Sequence, residues 1–175
     1  MALVLNVLLY QAVWFLCVFG GDRGALLALV PIGVHLAWSP CRKSDLIMMA
    51  VLLGCGLVID GLIHAGGVIS YDAPARPIPL WLVVIWLALA LMVHHGLRWM
   101  KNRLVLSAVF GAVGGPLAYW AGVKAGAAEF EVPLMNALVL LGVVWALLWP
   151  AVMFVGQRIL PKHERGTRLV EPSTR

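Results

Sequence analysis

Residues 44–69 read SDLIMMAVLLGCGLVIDGLIHAGGVI, an apolar run that holds one acid well inside it, Asp60, and one imidazole, His64. At 1.5 Å of rise per residue, about 20 such residues cross the roughly 30 Å of hydrocarbon in a bilayer. The run therefore predicts a membrane-spanning helix. Five further segments have the same character: 2–20, 24–40, 79–97, 103–125 and 132–157. The second ends at Ser39-Pro40, where the residue before a proline is pushed out of the helical region. Connections are a few residues long except for 71–78, which carries Pro74 and Pro77. The expected fold is all-α, a polytopic membrane protein built as a compact bundle of six transmembrane helices over residues 1–160. A polar cytoplasmic tail is expected at 161–175.

Composition excludes most other classes. Of 175 residues, 62% are hydrophobic and 12% charged, about half the charge of a soluble domain. That is too little to cover a water-facing surface, which excludes a soluble enzyme, a disordered tail and a nucleic-acid-binding domain. No basic residue precedes the apolar stretch 1–19, and Gly20-Gly21-Asp22-Arg23 lacks a small-x-small cleavage pattern, so the stretch reads as a retained span rather than a signal peptide. Cys17, Cys41 and Cys55 are odd in number and without CxxC spacing, which predicts neither a disulfide framework nor a zinc motif.

The net charge of +5 is explained by topology. With the N-terminus inside, the cytoplasmic side collects Arg42, Lys43, Arg98, Lys101, Arg103, Arg158, Lys162, Arg165, Arg168 and Arg175. The other side holds Arg23, Arg76 and Lys124. Ten against three follows the positive-inside rule and places both termini in the cytoplasm. Glycines spaced four apart, Gly111 with Gly115 and Gly122 with Gly126, predict close helix approach. Gly56 and Gly67 are read on the Asp60 side of their helix, turning that side toward the bundle interior.

Polar groups at membrane depth are costly and are the first candidates for function. Asp60 lies 17 residues beyond Lys43, about 25 Å along a helix. His64 follows one turn later, so an Asp–His hydrogen bond is within reach. Tyr119 lies 16 residues beyond Arg103 on a helix of the same direction, at matching depth. Pro116 beside it frees a carbonyl and predicts a bend. Asp60, His64 and Tyr119 are the expected catalytic residues, with Gln11, Trp14, Trp86 and Asn136 as the expected substrate-binding wall. The alternative for the Asp60–His64 pair is structural glue. Trp38, Trp81, Trp99 and Trp120 fall near span ends, where aromatic belts are expected. Trp14, Trp86, Trp145 and Trp149 lie deeper.

His35, His94 and His95 share a level near the cytoplasmic face. Adjacent histidines on a helix point about 100° apart, and Asp45, at the border, is the one carboxylate near them. No metal site and no cofactor are therefore expected. A phosphate loop, a G-x-S-x-G elbow and an HExxH pair are all missing from the sequence.

The set Asn6…Gln11…Trp14-Phe15, Gly56-x3-Asp60-x6-Gly67, Pro79-Leu80-Trp81, His95-x2-Arg98-Trp99 and Gly115-Pro116-Leu117-Ala118-Tyr119-Trp120-Ala121-Gly122 resembles a family of small bacterial inner-membrane proteins of unknown function. The last motif is the most distinctive. The resemblance implies a multi-pass protein of the bacterial inner membrane and, through gene neighbourhoods with cyclopropane-synthase-type enzymes, a lipid-related role. The leading expectation is a membrane-embedded enzyme or enzyme component acting on a lipid or another apolar substrate, with Asp60 and His64 as acid–base pair and Tyr119 as donor. The alternatives are a small-solute or proton-coupled carrier, and a non-catalytic subunit that recruits a soluble lipid-modifying enzyme. Expected partners are membrane lipids, and beyond them a homo-oligomer or that soluble enzyme.

Overall fold

A computed structural model describes residues 2–71 and 77–159, so the predicted tail at 161–175 and most of the 71–78 connection lie outside the described residues. The described residues form five α-helices: α1 (Ala2–Trp38), α2 (Arg42–Ala65), α3 (Leu80–His94), α4 (Leu104–Lys124) and α5 (Leu134–Ile159). A 3₁₀ turn (Arg98–Met100) precedes α4. Strands β1 (Ile69–Tyr71) and β2 (Ala128–Phe130) pair antiparallel, with Ile69 opposite Phe130 and Tyr71 opposite Ala128.

The six separate spans become five helices, four of them long and apolar enough to cross a membrane: α1, α2, α4 and α5. The predicted loop between the first two spans is absent because the chain reverses at a single residue. Gly21 takes φ 54° and ψ −141°, a conformation essentially confined to glycine. Three contacts establish the reversal. Asn6 Oδ1 accepts from Gly96 N at 2.9 Å, Asp22 Oδ1 accepts from Trp81 N at 3.2 Å, and the His35 ring sits 4.6 Å from the His95 ring. Both ends of α1 thus lie at the C-terminal end of α3, and its corner lies at the other. A straight helix of 37 residues would be about 55 Å long; α1 is instead two limbs side by side. Gly24 is where they touch, since a Cβ there would fall 1.8 Å from the Leu16 carbonyl oxygen.

The second departure is α3, which has 15 residues and is buried around its whole circumference from Ala88 to His94. A helix apolar on all sides belongs inside other helices. Its exposed backbone groups are met by protein, as non-helical backbone at membrane depth requires. Asp22 caps its first turn, and Asn6 holds Gly96 just past its end. Arg42 performs the same service for α1, donating from Nε to the Leu36 carbonyl at 2.7 Å.

The surface is apolar. Phe19 is 68% exposed, Leu62 68%, Val105 80% and Leu147 71%, which places large apolar side chains on the outside of each of the four long helices, as a lipid-facing surface requires. Trp38, Trp99 and Trp120 are exposed in keeping with a belt, whereas Trp81 is buried. Helices α4 and α5 pack through Gly111 and Gly115, whereas the predicted close approach at Gly122 and Gly126 is not found. Neither of the latter has an atom within 4 Å of where a Cβ would stand, and Gly126 lies beyond the end of α4 at φ 83°. A Cβ at Gly111 would meet the Trp145 carbonyl oxygen at 2.2 Å, and one at Gly115 would meet the Trp145 ring at 2.2 Å. Helix α4 continues through Pro116. The Ala112 carbonyl, which that proline leaves without its helical donor, lies against Gly142.

Candidate functional site

Asp60 lies one turn after Gly56 on α2 and is fully buried. Gly56 matters because a Cβ there would lie 2.5 Å from the Trp86 ring. Its absence lets the indole lie flat on α2 and bring Nε1 to Asp60. Trp86 Nε1 donates to Asp60 Oδ2 at 2.6 Å, and the Tyr119 hydroxyl donates to Asp60 Oδ1 in a short contact. Both carboxylate oxygens are therefore held by donors from two other helices, the arrangement that makes a buried acid tolerable.

Tyr119 and Trp86 also line a cavity of about 70 Å³. Trp14 of α1, Trp81 of α3, Trp145 of α5 and Tyr71 of β1 contribute to the same wall, as does Ala128, the β2 residue opposite Tyr71. The walls are overwhelmingly apolar. Trp86 and Trp145 stack 5.4 Å apart at 12°. Two further donors in this wall are buried and make no close, well-aligned hydrogen bond: the Tyr71 hydroxyl, which faces Asp60, and Trp145 Nε1, which faces the Tyr119 oxygen. Burial, and then the nearby Asp60 charge, push the Tyr71 phenol well above its usual range, so it stays a neutral donor.

The expected site residues divide clearly. Asp60 and Tyr119 meet, as their equal depth predicted, and Trp14 and Trp86 share the cavity wall. His64 does not pair with Asp60. Helix α2 ends at Ala65, so His64 sits in its last turn, with Nδ1 3.1 Å from the Ile69 carbonyl oxygen and its ring 5.4 Å from Tyr71. Gly67, beyond the helix at φ 65°, makes the turn into β1 rather than sharing a helix face with Asp60. Gln11 and Asn136 are exposed and outside the cavity wall. Tyr10, Tyr71 and Trp145 were not foreseen in it. Trp145 carried a signal, its depth within the last span.

A second polar cluster lies at the other end of α3. Asp45, in the first turn of α2, is fully buried. Its Oδ1 is 3.0 Å from His94 Nδ1, its Oδ2 is 3.0 Å from His95 Nε2, and Ser39 Oγ donates to Oδ2 in a short contact. Cys41 Sγ is 3.7 Å from Asp45 Oδ1 and 3.6 Å from His95 Nε2. The two histidines converge although adjacent, because α3 stops at His94 and His95 takes φ −118° and ψ −90°. The 100° argument holds only inside a helix. Burial alone would lower the His95 pKa, but the hydrogen bonds to Asp45 and Cys41 and the Asp45 charge outweigh it and raise it to about 9. One ligand atom from each of His35, Asp45 and His95 lies within 4.8 Å of the others, and the same is true of Cys41, Asp45 and His94.

Among known proteins, a family model described as a protein of unknown function (DUF2878) matches residues 3–151. No curated protein matches the chain, and no solved structure does.

Proposed function

The chain belongs to this family of unknown function, and from that premise we propose that it is a multi-pass membrane protein that binds and acts on a lipid or another apolar substrate in the cavity beside Asp60. The carrying observation is an aromatic cavity whose wall includes a tyrosine hydroxyl already committed to a buried carboxylate. An apolar body would fill the space between Trp14, Trp81, Trp86 and Trp145. A substrate oxygen would accept from the Tyr71 hydroxyl and Trp145 Nε1, which make no close hydrogen bond of their own. Because Tyr119 gives its proton toward Asp60, its oxygen is free to accept one from a substrate hydroxyl. Asp60 and Tyr119 then form a proton relay, with Asp60 as the terminal base. His64 has no part in the relay.

The membrane placement belongs to the same reading. The two limbs of α1 cross in opposite directions, and α2 to α5 each cross once, with both termini in the cytoplasm of a bacterial inner membrane. The ten-to-three basic split and the reversal at Gly21 support this arrangement. The test of function is lipid extraction and mass spectrometry of a deletion strain complemented with wild type, Tyr119→Phe or Asp60→Asn. A changed acyl species restored by wild type alone is the expected result. An unchanged lipid profile together with altered solute uptake would replace this reading with a carrier.

A further inference from the structure

We propose that Cys41, Asp45 and His95, with a fourth ligand from His94 or His35, bind one divalent transition-metal ion, zinc by the character of the donors. The cluster is independent of the Asp60 cavity. Asp45 is hydrogen-bonded to His94, His95 and Ser39, but the sulfur of Cys41 stands at the separations of a coordination shell. A tetrahedral zinc with metal–sulfur and metal–nitrogen distances of about 2.3 and 2.0–2.1 Å sets its sulfur and nitrogen ligands about 3.5 Å apart. Cys41 Sγ is 3.6 Å from His95 Nε2 and 3.7 Å from the nearer Asp45 oxygen. A thiol gains little from hydrogen bonds at those separations. As a thiolate ligand it would gain a strong bond at the same positions.

The orientation of His94 points the same way. Its Nε2 lies 3.1 Å from the Gly156 carbonyl oxygen, which can only accept, so Nε2 carries the proton. Nδ1 is then left with a lone pair aimed at Asp45 Oδ1, 3.0 Å away. That contact requires either an additional proton or a cation beside it. A metal-bound imidazole characteristically donates its other N–H to a backbone carbonyl. His35 adds a further observation: its Nε2 is buried and has no hydrogen-bond partner among the described residues, while its ring stands against His95. Mixed sulfur, nitrogen and carboxylate donors suit zinc and discriminate against magnesium and calcium. With its protein ligands supplied from α2, the end of α3 and the turn at Cys41, the ion would fasten the C-terminal end of α3 to the start of α2.

The experiment is elemental analysis of the full chain, purified in detergent through a tag free of histidine and without chelator. About one equivalent of a first-row transition metal per chain is expected. Cys41→Ser and His95→Gln should each reduce it about tenfold or more, whereas His64→Gln, at the other end of α2, should leave it unchanged. Cobalt loading of chelator-treated wild-type protein supplies a second readout that needs no variant. Tetrahedral d–d bands with a thiolate charge-transfer band are expected, and the latter should vanish in Cys41→Ser. A folded wild-type chain that carries no stoichiometric metal and takes up no cobalt would overturn the proposal. So would full metal retention in both ligand variants.

Discussion

Asp60 shows how far single residues can be read from a sequence. Its depth and that of Tyr119 follow from counting residues beyond Lys43 and Arg103, and the two side chains meet. The pairing with His64 fails because an i, i+4 contact presumes that the helix continues, and α2 ends one residue later. Trp86 as second donor was out of reach, since only three-dimensional packing shows that Gly56 makes room for its ring. Tyr119→Phe removes a donor from a fully buried carboxylate and should cost about 1–3 kcal/mol. Thermal unfolding in detergent should show a fall for this variant and none for Tyr119→Phe combined with Asp60→Leu relative to Asp60→Leu alone. A fall of equal size in both backgrounds would mean that the hydroxyl does not act through Asp60.

Elements were legible where periodicity is long and illegible where one residue does the work. The spacing of Gly111 and Gly115 predicted close approach, and both seat Trp145. Gly20-Gly21-Asp22-Arg23 was read as a loop, because nothing in its composition distinguishes a loop from a reversal at one glycine. The strands β1 and β2, three residues each, are too short to carry a period. Two substitutions on α4 should separate packing from propensity. Gly111→Ala puts a methyl group into the Trp145 backbone, which cannot yield, and should destabilise by about 1–3 kcal/mol. Gly114→Ala meets only a distant Phe110 edge and should stabilise by about 0.5–1 kcal/mol through lower backbone entropy. Equal effects, measured as unfolding midpoints in mild detergent, would contradict the packing of α4 on α5. Gly21→Ala forces a side chain onto a positive φ and should cost about 1–3 kcal/mol. An unaltered midpoint would mean that the reversal tolerates a side chain there.

For the molecule as a whole, an apolar exterior was legible from composition alone, whereas the way its interior closes was not. In the proposed arrangement a central helix of 15 residues can be shorter than the bilayer because backbone groups at its two ends are met by Asp22 and Asn6 rather than by water. The proposed orientation predicts that a reporter fused after the C-terminus is active in the cytoplasm and that one inserted at residues 73–78 is active outside. A periplasmic C-terminus would refute the arrangement. The nearly parallel stack of Trp86 and Trp145 has a consequence in optics. Two indoles this close share their electronic excitation, and wherever their transition dipoles are skewed the coupling splits the ultraviolet transitions into circular-dichroism bands of opposite sign. Trp86→Phe should abolish that couplet. Both rings line the cavity, so an occupant that reaches them should alter the splitting, and candidate lipids can be screened by their effect on the spectrum, without a label and before any reaction is known.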